Sequence, residues 1–283
     1  MITAQSLLRK FTNLKTLPHL AIKLSKMISD DNRTIQEFEE VIKMDPTMVL
    51  RLLRLVNSPY YALRQKCTSI SDAVIYVGMD NLRNIVVATA LKDIYKVNAN
   101  ESVFSRKRLW LHSAAVAICS QMISERIFEK KGENAFLCGI LHDIGLIVED
   151  QTIPEMFLEV CKTYDPAKRS ITDQELSIIG TDHSAIGSML ANDWKLPEAI
   201  KKGIKQHHKV MQQVVPSSIS GIIQIAEFMV SRLDYKAMPQ AQPELSPPLK
   251  QYIHDNIKEF RLLARDLPEE MAKARELHDL NTE

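Results

Sequence analysis

The sequence predicts an all-α protein, and three observations lead to this fold class. Only 8 of the 283 residues are glycine, so a β protein rich in tight turns is not expected. Alanine, leucine, lysine, glutamate and methionine, which favour helices, are plentiful. Residues that typically begin helices recur before apolar runs along the whole chain. A chain of this length can bury one large core or two smaller ones.

The first hundred residues are predicted to form short helices, each with its own start signal. The helix that begins at Asp45-Pro46 should end at Asn57, and the helix that begins at Asp80 should run to about Tyr95. The start signals of this region are Pro18 at a first helical position, a capping box of Thr34 and Glu37, Asp45-Pro46, Ser71-Asp72, and Asp80. The polar segment 96–105 then marks the best internal boundary.

Longer helices are predicted after this boundary. One should run from about Arg106 to Phe128, and a central helix from Asn134 to about Val148. The shorter helices that follow have start signals at Pro154, Thr172 with Glu175, Thr181-Asp182, Pro197, and Ser217-Ser218. Prolines at 239, 243, 247 and 248 then interrupt helical structure, and a charged peripheral helix is expected near 268–280. We therefore predict three parts, 1–98, 104–235 and 236–283.

Charge and cysteine content narrow the class of protein. The 36 Lys and Arg residues balance 35 Asp and Glu residues, so no global field would attract nucleic acid or an anionic membrane. The four cysteines show no C-x-x-C pairing, which suits a reducing compartment. Neither an export signal nor an apolar run of 18 residues is present. We expect a cytoplasmic protein without a membrane-spanning segment.

The predicted central helix carries two adjacent polar residues in an otherwise apolar stretch. The stretch 136–148 is apolar on every side except for the adjacent residues His142 and Asp143. A helix of that kind is buried. Burying a carboxylate costs several kcal/mol unless a cation or hydrogen bonds compensate for it. Other parts of the chain must therefore supply partners for this pair.

Helical periodicity identifies candidate partners. At about 100° per residue, His112 lies on the apolar face of its helix, and His207 lies among apolar residues of another. Glu227 lies between an apolar and a polar face, so we expect it to be half-buried at best. The lysines Lys201, Lys202, Lys205 and Lys209 occupy a separate face of the helix that ends at His207, with His208 at its edge.

These inward-facing residues allow two interpretations. A single core histidine is more often a structural residue than a metal ligand. However, five of the eight histidines and Asp143 lie at or near apolar helical faces within about a hundred residues of sequence. Imidazole and carboxylate are the ligands that a first-row divalent metal prefers, and an aspartate can bridge two ions.

The pattern resembles a known superfamily. The order of His112, His142-Asp143-Ile-Gly, His183, His207-His208 and a later acidic residue is similar to that of the HD metal-dependent phosphohydrolases, nearest to the HD-GYP branch that hydrolyses cyclic di-GMP. The leading half, with Leu17-Pro18, residues 45–60 and residues 69–78, resembles instead the HDOD family of bacterial signalling output domains. The combined resemblance covers roughly residues 10 to 235.

The resemblance implies a fold and a set of site residues. It implies an HD-type helical bundle with an N-terminal helical part packed against it. One or two divalent ions (Fe, Mn, Zn or Ni) would be bound, and Asp143 would be the candidate catalytic residue. The implied metal ligands are His112, His142, Asp143, His183, His207 and Glu227.

The chain departs from the active HD-GYP pattern at several positions. Leu146 stands where those enzymes have a lysine, and Arg108 stands where they have a glutamate. No Gly-Tyr-Pro motif follows the paired histidines, and Glu227 replaces the usual aspartate. These departures argue against turnover of cyclic di-GMP while they leave metal binding in place.

Two functions therefore compete at the level of sequence. The first is a signalling module that contacts a partner protein or a phosphorylated small-molecule ligand and has a retained or vestigial metal centre. The second is a metal-dependent phosphohydrolase, in which bound ions activate water. Binding of nucleic acid through the lysine face is not favoured, because charges at helical spacing usually form a solvated face. Lys201 and Lys205 are the candidates for attracting a phosphate group.

Overall fold

A computed structural model describes residues 2–11, 35–43, 46–57, 61, 63, 65–79, 82, 104–210, 213–238 and 240–279. All regular structure within these residues is helical, which confirms the all-α prediction. The chain forms two compact units, Met1–Lys15 with Ile94–Leu267 and Thr16–Asp93 with Pro268–Glu283. The predicted parts 1–98, 104–235 and 236–283 remain a proposal for the domain organisation.

The first helix, α1 (Ala4–Lys10), belongs to the larger unit, and the next three belong to the smaller one. These are α2 (Ile35–Lys43), α3 (Pro46–Val56) and α4 (Ile70–Val77). The predicted start and end of α3 are confirmed. Asn57 follows α3, where its side chain donates to the carbonyl of Leu53 and also pairs with the backbone of Cys67. The helices expected after Pro18 and Asp80 lie outside the described residues.

The start of α4 differs from the prediction. The helix begins after Ser69 rather than at Ser71-Asp72. The hydroxyl of Ser69 accepts from the backbone N–H of Asp72, and the carboxylate of Asp72 accepts from the backbone N–H of Ser69. Asp72 is therefore the third helical residue of a capping box, and the start signal is Ser69, two residues before the predicted Ser71.

The remaining helices form the larger unit and the end of the chain. They are α5 (Arg106–Met122), continued by a π-helical turn (Ile123–Ile127), α6 (Glu133–Leu141), α7 (Ile144–Thr152), α8 (Pro154–Thr163), α9 (Ile171–Ile178), α10 (His183–Asp193), α11 (Glu198–Gln206), α12 (Ile219–Arg232), α13 (Pro247–Asp255) and α14 (Ile257–Asp279). The predicted starts of α8, α10, α11 and α12 are confirmed. No helix among the described residues combines the length and the low polarity needed to cross a membrane.

The predicted central helix is in fact two helices. The chain turns at His142–Asp143, and Asp143 adopts φ −100° and ψ 11° as the residue before α7. The reason lies in tertiary packing. Gly145 in the first turn of α7 lies so close to the backbone of α10 that a Cβ atom there would overlap the carbonyl oxygen of His183. The apolar pattern is similar on both sides of the break, so periodicity alone did not reveal it.

Two further predictions are corrected by the structure. Helix α9 begins after Ser170, whose hydroxyl accepts from the N–H of Asp173, so Thr172 and Glu175 are not its capping pair. The last helix, α14, begins well before position 268 and contains a proline inside it. The stretch near 268–280 is also not simply peripheral, because Met271 within it is buried.

Candidate metal centre

Four histidines and two carboxylates converge in the larger unit. They come from separate elements: α5, the turn between α6 and α7, the first residue of α10, the end of α11, and α12. Each of these residues is at most 6% exposed. The converging residues are His112, His142, Asp143, His183, His207 and Glu227. The expectation that Glu227 would be half-buried at best was wrong, because its side chain points into the cluster.

Asp143 lies between two pairs of histidines. Its Oδ2 atom is 3.5 Å from Nε2 of His112 and 3.2 Å from Nε2 of His142. Its Oδ1 atom is 3.4 Å from Nε2 of both His183 and His207. One carboxylate therefore presents one oxygen to each pair, which is the geometry expected of a bridging ligand.

The cluster divides into two groups that share Asp143. In the first, Oε1 of Glu227 lies 2.8 Å from Nε2 of His112 and 2.7 Å from Nε2 of His142. In the second, the additional member is His208, which is half-buried and was not among the predicted ligands. The candidate ligand atoms of each group all lie within 4.8 Å of one another.

Hydrogen bonds to the outer ring nitrogens orient the histidines. Nδ1 of His112 lies 2.7 Å from the carbonyl of Tyr235, and Nδ1 of His142 lies 2.6 Å from the carbonyl of Gly139. Nδ1 of His207 is likewise 2.6 Å from a main-chain carbonyl. Because a carbonyl only accepts, each Nδ1 must carry a proton. In the neutral ring, the lone pair of Nε2 then faces the centre of the cluster.

This arrangement fits a divalent cation. The Nε2 atoms of His112 and His142 are 3.3 Å apart, and those of His183 and His207 are 3.2 Å apart. Neutral rings in this orientation would direct lone pairs at one another and at carboxylate oxygens, which is unfavourable without a positive charge between them. Imidazole nitrogen and carboxylate oxygen suit Zn, Mn, Fe or Ni, so the donor set matches a divalent transition metal.

The two groups differ in their affinity for protons. Burial opposes a charge on His112 and His142, but the carboxylates of Glu227 and Asp143 outweigh burial and raise the pKa of both rings. Burial lowers the pKa of His207 and His208, which keeps both rings neutral. Protons therefore compete with a metal mainly at the first group, so metal affinity there should fall with decreasing pH.

A cleft lined by members of both groups opens beside the cluster. Its wall includes Leu146 and Tyr164 as well as the half-buried lysine Lys236, which forms no ion pair with any residue that the structure describes. Sequence reasoning missed Lys236, because it follows a helix end and belongs to no motif. The predicted phosphate-attracting residues Lys201 and Lys205 do not line this cleft. Lys201 pairs instead with Glu198 at 2.7 Å.

The family follows from one comparison. The HDOD domain family matches residues 14–210 of the chain. The chain belongs to the HDOD family. Among curated proteins, it is 27% identical over 73% of its length to a protein of Treponema pallidum (strain Nichols). It is 21% identical over 66% of its length to the cyclic di-GMP phosphodiesterase CdgJ of Vibrio cholerae. The chain spans about 40% of the length of each of these relatives.

Solved structures of similar chains share this HD-type helical fold. An HDOD domain protein from Geobacter sulfurreducens is 26% identical, with a TM-score of 0.72 over 97% of this chain and 93% of that chain. A candidate phosphohydrolase from Shewanella amazonensis SB2B is 27% identical, with a TM-score of 0.70 over 96% and 97% of the two chains. The expected HD-type bundle is therefore confirmed.

Proposed function

We propose that this HDOD protein is a bacterial signalling regulator that binds a phosphorylated small molecule at a two-ion metal centre. The observation that carries the proposal is the cleft, which joins both ligand groups to a lysine without an ion-pair partner among the described residues. The resemblance to bacterial output domains and the family membership support a signalling role. A signalling protein would be the partner that responds to the bound state.

The lining of the cleft indicates the chemical class of the ligand. Phosphoryl oxygens carry negative charge, and they would be attracted by bound divalent ions and by the ammonium group of Lys236. Tyr164, Ile171 and Met238 add apolar walls on which a nucleobase or a similar ring could pack. A phosphate ester with an apolar or aromatic part suits both regions of the cleft.

Metal-dependent phosphohydrolysis is the second candidate function. The specific observation in its favour is that a complete donor set is retained, with Asp143 shared by both groups. Bound divalent ions would lower the pKa of water and stabilise charge on phosphoryl oxygens. Asp143 would act by holding both ions, which is the role we assign to it as the candidate catalytic residue.

The wall of the cleft argues against rapid turnover of cyclic di-GMP. Leu146, which replaces the lysine of active HD-GYP enzymes, is 3% exposed and lines the cleft. It offers no charge to a phosphoryl group. Loss of one well-placed donor typically costs about 10²- to 10³-fold in rate. We therefore infer that binding, rather than rapid hydrolysis, is the main activity at this site.

Lys201 and Lys205 remain candidates for attracting a phosphate group from outside the cleft, more weakly than Lys236 does from its wall. Both belong to α11, which ends beside the ligand His207. Their contribution can be separated from that of Lys236, because only Lys236 lines the cleft. Balanced charge over the whole chain gives a nucleic-acid role no comparable support.

The test compares ligand binding by variants of metal-loaded protein. Isothermal titration with cyclic di-GMP and with inorganic phosphate would be done for the wild type, for Lys236→Met and for the matched control Lys205→Met. A hydrogen bond to a charged group is worth about 1.5–3 kcal/mol. Lys236→Met should therefore weaken phosphate binding by about 10- to 100-fold, and Lys205→Met should have a much smaller effect. Equal effects of the two substitutions, or no binding of either ligand to the wild type, would reject the proposed cleft.

A second assay separates regulation from hydrolysis. The wild type and Leu146→Lys would be incubated with cyclic di-GMP and with a generic phosphodiester. We expect slow or absent cleavage by the wild type. Cleavage by Leu146→Lys alone would show that the missing cation limits the reaction. Brisk cleavage of cyclic di-GMP by the wild type would instead establish the enzyme and overturn our preference.

A further inference from the structure

Four polar side chains form a stripe along one face of α12, and all of them are buried. Their spacing places them on the same side of the helix, and each residue is only 3–8% exposed. The stripe consists of Ser220, Gln224, Glu227 and Ser231. Glu227 contacts the first histidine pair, and Ser231 lines the cleft. The other two members contact the end of α11, the helix that leads into the paired histidines of the second group.

Gln224 spans the turn that carries these paired histidines. Its side-chain nitrogen lies 3.0 Å from the carbonyl oxygen of Gln206 and 3.1 Å from that of Lys209. In the chain, these two carbonyls lie on either side of His207 and His208. Because a carbonyl oxygen only accepts, the atom between them must be the NH₂ group, which has one proton for each carbonyl. The amide of Gln224 therefore forms a bracket across the two histidines.

The bracket acts at a place where the main chain needs partners. Helix α11 ends at Gln206, and the last carbonyls of an α-helix have no partner within the helix. The N–H of Lys209 donates to the carbonyl of Gln206 at 2.9 Å and closes the turn on itself. Gln224 adds a second hydrogen bond to that carbonyl and one to the carbonyl of Lys209. The turn is thus tied to α12 at both of its ends.

The two histidines can face one ion only if the turn between them has a defined shape. Successive residues of a regular helix point about 100° apart. The ring centroids of His207 and His208 are nevertheless only 4.1 Å apart. Their candidate ligand atoms lie within 4.8 Å of each other and of those of Asp143 and His183. A change in the backbone dihedral angles at either histidine would turn one ring away from this group.

We propose that Gln224 is a positioning residue that holds the turn at His207–His208 so that both rings bind the same ion. The metal-binding part of this inference rests on the proposed metal centre. Glu227 lies about one helical turn further along the same stripe and contacts the first group directly. One face of α12 therefore positions both groups, the first through a carboxylate and the second through the main chain of a turn.

The bracket can be tested without any metal. Gln224→Met keeps the length of the side chain and removes both donors. In metal-free protein, hydrogen exchange of the amides at positions 207–210 should become about 10- to 100-fold faster, because two hydrogen bonds of ordinary strength are lost. Ser220→Ala is the matched control, because the hydroxyl of Ser220 joins the same two helices through the side chain of Gln206, at 3.2 Å, rather than through the main chain of the turn. Amides of α5 report any change in global stability.

Two results of this experiment would overturn the bracket, whether or not the protein binds metal. One is an unchanged exchange rate at positions 207–210 in Gln224→Met. The other is an equal increase at these positions and in α5, which would show a general loss of stability. Ser220→Ala should leave exchange in the turn close to the wild-type rate.

Metal affinity and cobalt absorption test the positioning role. Loss of a residue that orients metal ligands typically weakens binding by about 10- to 100-fold. Gln224→Met should weaken the ion of the second group by this factor, and Ser220→Ala should keep both ions. The two groups offer different donor sets, because the first contains two carboxylates and the second contains three histidines. The Co²⁺ that remains in Gln224→Met should therefore absorb differently from the Co²⁺ that remains in Glu227→Gln.

The outcomes separate this inference from the proposed metal centre. Unchanged affinity for both ions in Gln224→Met, or equal weakening of both, would contradict the positioning role. Identical cobalt spectra for Gln224→Met and Glu227→Gln would do the same, because the same ion would then remain in both. Faster exchange at positions 207–210 in Gln224→Met, together with a wild type that binds no metal, would overturn the metal centre and leave the bracket intact.

Discussion

Replacement of Asp143 by asparagine is the most informative test of the metal centre. Asp143 is the member common to both ligand groups, and each of its oxygens faces one histidine pair at 3.2–3.5 Å. An asparagine of the same shape keeps one oxygen and replaces the other with an NH₂ group. The NH₂ group cannot bind a cation, but it can donate to Nε2 of the histidines beside it. The metal-free variant should therefore still fold.

The size of the effect follows from burial and charge. The carboxylate is 4% exposed, and loss of one partner from a buried charged pair costs about 3–5 kcal/mol. At about 1.4 kcal/mol per factor of ten, this corresponds to an affinity loss of roughly 10²- to 4 × 10³-fold for the ion beside the amide nitrogen. The other ion loses a charged ligand and keeps a neutral one, so it should be weakened to a smaller extent. Glu227→Gln, in contrast, should weaken only the ion of the first group.

Metal content after dialysis and competition with a chelator measure these affinities. The wild type should hold two ions, Glu227→Gln should lose one, and Asp143→Asn should lose one and bind the other weakly. Circular dichroism of the metal-free proteins controls for folding. Retention of both ions with unchanged affinity in Asp143→Asn would refute the shared-ligand geometry, and absence of metal from the wild type would refute the centre itself.

Three further outcomes are expected. Gly145→Ala should lower the free energy of unfolding in urea by about 1–3 kcal/mol, because a Cβ would overlap the backbone of His183. Gly187→Ala should cost less, because the nearest atom to its Cβ would be a side-chain methyl carbon of Ile204 at 3.1 Å and the nearest backbone atom would be 3.7 Å away. Equal costs of the two substitutions would contradict the packing argument. The folded state raises the pKa of Glu149 above its ordinary value of 4.5, so the folded protein holds a proton that the unfolded chain releases. The free energy of unfolding of the metal-free wild type should therefore fall relative to that of Glu149→Gln as pH rises above about 4.5, by at most about 1.4 kcal/mol per pH unit. Parallel curves of unfolding free energy against pH for the two proteins would contradict this prediction. All four cysteines are buried, and burial raises the pKa of Cys161 to about 12. A thiol reagent should therefore label the native protein slowly, because only an accessible thiolate reacts quickly. Rapid labelling would show that the thiols are accessible.

Local chemistry made much of the architecture predictable. Start signals such as Asp182 before α10 and Ser218 before α12 act through hydrogen bonds within the first turn, so they can be read without knowledge of the fold. The inward direction of His112 and His207 followed from periodicity, because an apolar helical face must be buried. The spacing of these motifs was also specific enough to indicate the HDOD family.

Long-range packing decided the remaining features. The break between α6 and α7 coincides with the contact of Gly145 with the backbone of His183, which lies 38 positions later in the sequence and leaves no local signal. Glu175 has the spacing of a capping residue, yet it binds His183 because α9 and α10 meet there. The placement of Lys236 in the cleft likewise depends on the course of the chain after α12.

The sequence by itself therefore determined the helical class, most helix starts and the residues that needed partners, because these depend on neighbours within a few residues. Only the tertiary structure decided how the partners are shared. It placed one oxygen of Asp143 against each histidine pair and buried Glu227 beside the first pair. It also buried Glu149 out of reach of any hydrogen-bond donor that the structure describes. Distances between side chains on different helices depend on how the helices pack, and helical periodicity carries no information about that packing.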